Sequence, residues 1–92
     1  MSEELRIIFT SDDVARLITY SCFNEKTTFE LVIIVQNYRK SKGYTIDIDD
    51  ARRRVASTLT NLEQKGAIKY SNTLWTTTPL AKEILSKYFG LS

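Results

Sequence analysis

The chain has 92 residues, 42% of them hydrophobic and 26% charged, with a formal net charge of +2; this bounds it to one small domain with a single core and no room for a spacious enzyme cleft. It has no histidine and one cysteine, Cys22, so the commonest general base and metal ligand are missing and a structural zinc site cannot be assembled. The charge favours an anionic partner only mildly, and the longest apolar run, residues 31–35, is far too short for a membrane span.

Residues 5–9, Leu-Arg-Ile-Ile-Phe, read as a strand or a tight lead-in that another element must cover. Thr10 or Ser11 caps the first predicted helix, residues 11–23, with Asp12 and Asp13 in the turn where the helix dipole favours negative charge. Its inner stripe is Val14, Leu17, Ile18 and Ser21, which leaves Tyr20 and Phe23 partly outside. Cys22 reads as a small packing residue, because no histidine exists to activate it. After a turn at residues 24–26, Thr28 caps a second predicted helix, residues 28–42, with Leu31, Ile34, Val35 and Tyr38 inward and Gly43 ending it. Val32 and Ile33 fall off that stripe, so the N-terminal segment, the first helix or a second subunit must cover them. In the following loop Ile46 and Ile48 are expected to anchor to the core, and Asp47 or Asp49 to cap the next helix.

The third predicted helix, residues 49–65, is the element the rest supports. Ala51, Val55, Leu59 and Leu62 recur at intervals of four, four and three residues, as a buried stripe requires. The opposite arc carries Arg53, Ser57, Thr60 and Gln64, flanked by Arg52, Arg54, Ala56 and Asn61: arginines and small hydrogen-bonding side chains, with little bulk to prevent close approach. Asp47, Asp49 and Asp50 read as a cap and dipole partners rather than a cation site. The spacings Asp49 to Arg53 and Asp50 to Arg54 are those of intrahelical ion pairs. Gly66 stops the helix, and a hairpin over residues 67–77 follows, with its turn at Ser71-Asn72. Within it Trp75 points to the core, since Leu74 and Trp75 must face opposite sides and the larger ring gains more from burial. Thr78 caps and Pro79 starts a final helix, residues 78–89, with Leu80, Ile84, Leu85, Tyr88 and Phe89 as a broad apolar face and Gly90 at its end.

Two stretches resemble a known family. Leu59-Thr60-Asn61-Leu62-Glu63-Gln64-Lys65-Gly66-Ala67-Ile68 is similar to the end of the recognition helix in winged helix-turn-helix regulators: leucine, two variable residues, leucine-glutamate, two variable residues, then glycine and a strand. Trp75-Thr76-Thr77-Thr78-Pro79-Leu80-Ala81-Lys82 resembles the aromatic, variable, leucine-threonine-proline, variable, glycine-lysine stretch that closes the wing in the MarR-like and PadR-like groups. Thr77 stands where that pattern has leucine and Ala81 where it has glycine.

The resemblance implies an α+β, mostly helical fold, a winged helix-turn-helix with a three-helix core, a β-hairpin wing and a C-terminal helix, as a single domain over residues 1–92. It further implies sequence-specific binding of double-stranded DNA by a transcription regulator, with the third predicted helix in the major groove. Arg52, Arg53, Arg54, Ser57, Thr60 and Asn61 are then the expected contacts from the helix, because arginine can bond guanine in two places and the smaller groups reach phosphates or base edges. Lys65, Lys69 and Asn72 are the expected contacts around the wing. No catalytic residue, cofactor, metal or small-molecule substrate is expected. The acidic start Met1-Ser2-Glu3-Glu4, with no signal-peptide pattern after it, predicts a cytoplasmic protein, associated with the nucleoid if it binds DNA. A homodimer through the N-terminal segment and the first and last helices is expected to take up the surplus apolar surface. The competing reading is a protein-protein interaction module of a larger assembly, for which Ile8, Tyr20, Phe23, Ile33 and Phe89 would supply the surface.

Overall fold

The computed structural model describes residues 2–45 and 47–92, which form five helices and one two-stranded antiparallel hairpin, an α+β and mostly helical architecture. The N-terminal segment is not a strand. Helix α1 spans Ser2–Ser11, because Leu5, Ile8 and Phe9 have the i, i+3, i+4 spacing of one helical face; Leu5 and Phe9 are fully buried and Ile8 packs beside them.

One residue separates α1 from α2, Asp13–Ser21. Asp12 serves both helices: its N–H donates to the Ile8 carbonyl at 2.8 Å, and its carboxylate accepts from the N–H groups of Val14 and Ala15 at 3.1 Å each. Neither Thr10 nor Ser11 is the cap; their hydroxyls bond back to Arg6 and Ile7 in α1 at 2.8 and 2.9 Å. The buried face is also turned from the expected stripe: Val14, Ala15, Ile18 and Thr19 are buried while Leu17 and Ser21 are half-buried.

Helix α3, Thr28–Ser41, begins with a capping box one residue before the expected cap. The Thr27 hydroxyl accepts from the Glu30 N–H at 3.1 Å and the Glu30 carboxylate accepts from the Thr27 N–H at 2.8 Å, which satisfies two orphan donors at once. Leu31, Val32 and Val35 are its buried residues. Val32 is thus covered by the chain's own core, whereas Ile34 and Tyr38 are only half-buried.

Helix α4 spans Ile48–Gln64 and is capped by Asp47, whose carboxylate accepts from the Asp50 N–H at 2.8 Å. Ile48 packs against the core; Ile46 lies outside the described residues. Ala51, Val55, Leu59 and Leu62 are all buried, joined by Thr58. Gly66 adopts φ +77°, a left-handed conformation that costs glycine little, and lets the Ala67 N–H close onto the Leu62 carbonyl at 2.9 Å.

Strands β1, Ile68–Ser71, and β2, Leu74–Thr77, pair in the register Ile68↔Thr77, Lys69↔Thr76, Tyr70↔Trp75 and Ser71↔Leu74. The turn is therefore Asn72-Thr73, one residue later than expected, with φ of +53° and +64°. Two successive positive φ values match the tight turn that suits a twisted hairpin. The outer edge of β2 is also paired: Trp75 N–H donates to the Lys26 carbonyl at 2.7 Å and Lys26 N–H to the Trp75 carbonyl at 3.1 Å. The segment before α3 is thus a bridge as well as a turn, and it holds Trp75 at 9% exposure with its indole N–H on the Thr28 hydroxyl at 2.8 Å.

Helix α5, Pro79–Phe89, starts at Thr78 and ends at Gly90. Ala81, Ile84 and Leu85 face the core, and Phe89 meets Phe9 of α1 edge to face at 6.4 Å between centroids. Leu80 and Tyr88, expected on the apolar face, are instead 38% and 49% exposed. Ala81 is fully buried, so the core-facing side of α5 runs through Ala81, Ile84 and Leu85. No helix among the described residues is long and apolar enough to cross a membrane.

Candidate nucleic-acid interface

The buried stripe of α4 fixes which way its other face points. With α3 packed along one side and α2 and β1 against the others, Arg52, Arg53, Ser57, Thr60, Asn61 and Gln64 are exposed, as are Lys65, Lys69 and Asn72 beyond the helix. Arg54 is half-buried.

Every arginine of this helix has a carboxylate, but not at the expected spacing. Arg52 faces Asp49 at 3.6 Å and Arg53 bonds Asp50, both three residues apart rather than four. Arg54 leaves the helix altogether and bonds Asp12 at 2.9 Å. Its guanidinium therefore completes the joint between α1 and α2, and pulls α4 against that joint. The Arg53 side chain is 73% exposed and that of Arg54 only 40%, so the two adjacent arginines differ in role: one is a solvated group with a local partner, the other a tie between distant segments.

The hydroxyls on the face are also engaged. Ser57 donates to the Arg54 carbonyl at 3.1 Å and Thr60 to the Ala56 carbonyl at 3.0 Å, which leaves their lone pairs outward and requires a hydroxyl rotation before either donates to a ligand. Arg54, Ser57, Thr58 and Asn61 line, with Asp12, a groove of about 310 Å³. Three expected contacts thus share one groove, while Arg52, Arg53 and Thr60 stand outside it.

Lys65 is displaced from this face. Its ammonium bonds Glu4 of α1 at 2.5 Å, and that ammonium holds the Glu4 carboxyl below its ordinary value. Lys69 and Asn72 lie on the hairpin, Asn72 at the first position of the turn, where its left-handed φ suits an asparagine. Asp12 and Glu4 were not legible as partners, since each lies more than 40 residues from its cation and no local pattern links them.

Other chemistry is confined. Cys22 is buried, and desolvation pushes its thiol up to about 12, so it is neither a thiolate nor a nucleophile near neutral pH. Among the described residues no group of three or more acidic, cysteine or histidine side chains is placed to hold a metal ion. Compared with known protein families, curated proteins and solved structures, the chain matches none of them.

Proposed function

We propose that the chain is a winged helix-turn-helix protein that binds double-stranded DNA, with α3 and α4 as the helix-turn-helix pair, α4 in the major groove and the β1–β2 hairpin as the wing. The observation that carries this reading is the face of α4 opposite Ala51, Val55, Leu59 and Leu62: it is exposed, free of bulky apolar groups and lined with arginines, hydroxyls and an amide. Its ion pairs do not oppose the reading. Exposed pairs at this spacing contribute roughly 0.3–0.5 kcal/mol, so Arg52 and Arg53 can exchange Asp49 and Asp50 for a phosphate or a guanine at small cost. Arg54 is less free, and its part is to set the angle of the helix. A sequence-specific regulator acting as a homodimer is the form this activity takes in the proposal, with Ile7, Leu80 and Tyr88, exposed on α1 and α5, at the subunit contact.

Titration with duplex DNA at two salt concentrations tests the reading. Affinity that falls steeply with salt is expected from released counterions; no binding at low salt would overturn it. The second reading, a protein-binding module, draws on the 60% exposure of Phe29, which a DNA groove would not use. Light scattering separates the two further, because a concentration-independent monomer mass favours the module.

A further inference from the structure

The cations of this chain divide by their partners. Arg6, Arg52, Arg53, Arg54 and Lys65 each face a carboxylate. Eight others face none among the described residues, and three of these, Arg39, Lys40 and Lys42, crowd into the last turn of α3 and its cap. Residues 36–45, Gln-Asn-Tyr-Arg-Lys-Ser-Lys-Gly-Tyr-Thr, contain three cations and no acid, whereas residues 47–54 balance Asp47, Asp49 and Asp50 against three arginines.

Cations at a helix C-terminus have an ordinary use, which is to satisfy the last carbonyls. Here the backbone has already done so. The carbonyls of Tyr38, Arg39 and Lys40 accept from the N–H groups of Lys42, Tyr44 and Gly43 at 3.0–3.2 Å. The charged ends turn elsewhere: the Arg39 guanidinium lies over the Tyr44 ring at 5.2 Å and the Lys42 ammonium over the Tyr38 ring at 5.6 Å. Arg39 Nε is buried without a hydrogen-bond partner, a costly arrangement for a charged donor. Beside it runs a groove of about 300 Å³ lined by Gln36, Asn37, Lys40, Tyr44 and Thr45: two amides, an ammonium, a phenol and a hydroxyl, with no carboxylate. In the smaller pocket on the Arg39 side the one carboxylate, Asp13, is occupied by the Tyr38 hydroxyl at 2.6 Å.

We infer that the end of α3 and residues 42–45 form a phosphate-binding surface for the backbone of duplex DNA, with Lys40 and Lys42 as the charge contacts and Gln36, Asn37 and Thr45 as hydrogen-bonding partners of the same strand. The inference rests on the DNA-binding reading of α4 and divides its labour. The α4 face, neutralised by its own aspartates, discriminates; the α3 end supplies the sequence-independent attraction that net positive charge gives.

The test is fluorescence anisotropy with the full chain on a mixed-sequence DNA duplex, at about 50 and 200 mM salt. The proteins are the parent, Lys40→Ala/Lys42→Ala, Arg53→Ala, and Lys82→Ala/Lys87→Ala as a control of equal charge loss on α5, each first shown to melt like the parent. Each phosphate contact contributes about 0.9 to the salt slope. The Lys40/Lys42 variant should therefore lose nearly two units, so that the parent loses about 10-fold more affinity than this variant across that salt range, evenly across sequences. A loss no greater than that of the α5 control would reduce the effect to net charge and overturn the inference while leaving Arg53 and α4 intact. Loss at Lys40/Lys42 beyond that of the α5 control, with Arg53→Ala unchanged on this mixed-sequence duplex, supports the surface as the source of the sequence-independent attraction. A parent that does not bind at either salt overturns both.

Discussion

The two faces of α4 are held by different physics. The inner face, Ala51, Val55, Leu59 and Leu62, is buried in a close-packed core, where each side chain has one arrangement and no substitute. The outer face is held by exposed pairs, Arg52 with Asp49 and Arg53 with Asp50, whose partners are interchangeable with any oxygen anion. A helix built this way is rigid in position and permissive in contact. Arg54 stands at the border, since it is polar like the outer face and structurally committed like the inner one through Asp12.

The largest effect should come from the inner face. Leu62→Ala, at a fully buried position, should destabilise the fold by about 2–5 kcal/mol, as truncation of core leucines does, and Leu59→Ala by a similar or smaller amount. Chemical denaturation reads this directly. A loss under about 1 kcal/mol at Leu62 would break the comparison, because the inner face would then have room to rearrange.

The border residue comes next. Asp12→Ala removes a cap worth about 1–2 kcal/mol, and with it the partner of Arg54, a half-exposed pair worth under about 1 kcal/mol. Asp12→Asn keeps the side-chain acceptor for Val14 and Ala15 but not the charge. If Asn restores most of the stability, the cap is the larger part; if it does not, the tie to Arg54 is.

This border marks where sequence reading ran out. Periodicity found α4 and its stripe because the signal is local, as were Gly66 after the helix, the hairpin that follows and Pro79 after Thr78. The segment over Leu5, Ile8 and Phe9 was misread because five residues cannot by periodicity alone separate a strand from a helix turn, and its helical face is fixed by packing against both α2 and α5. The hairpin turn was one residue out since Ser71, Asn72 and Thr73 are all plausible turn residues, and the register is set by burial of Trp75 and Thr77. On the candidate site, exposure of Arg52, Arg53, Ser57, Thr60 and Asn61 was legible; the withdrawal of Arg54 to Asp12 and of Lys65 to Glu4 was not, being long-range. Of the broad apolar face expected on α5, Ile84 and Leu85 are buried and Leu80 and Tyr88 are not, while Ala81, which that face left out, takes an inward position.

On the outer face, Arg53→Ala should leave the melting temperature within error of the parent and cost roughly 1–3 kcal/mol of DNA affinity if the guanidinium reads a guanine. Arg52→Ala should follow to a lesser degree. Arg54→Ala should do both, weakening binding and lowering stability, since its loss frees the joint at Asp12. Binding unchanged in all three would leave the arginines as solvated partners of their aspartates.

Acid should act outside the face. Glu30, bonded by the Thr27 N–H, and Asp13, bonded by the Tyr38 hydroxyl, both have carboxyls held below their ordinary values. A lowered folded value contributes stability above the unfolded value and loses it as pH falls through the folded one, so the melting temperature should fall below about pH 4. Glu30→Gln should flatten that fall; a pH profile that stays unchanged in this variant would remove the α3 capping box from the account.

The smallest effect belongs to Ser57, in the middle of the exposed arc. Its hydroxyl donates only to the carbonyl of Arg54, one turn earlier in the same helix, a bond that competes with the helix as much as it supports it. Alanine is the better helix former by roughly 0.5 kcal/mol, and no buried volume is lost. Ser57→Ala should therefore shift stability by less than about 0.5 kcal/mol, with a slight gain the expected sign. Its effect on DNA affinity should be separate from this, because a group that faces the groove beside Asn61 and Arg54 loses its lone pairs and its rotating donor together. A destabilisation matching that of Leu62→Ala would show that the helix has no permissive side, and the distinction between its two faces would fail there.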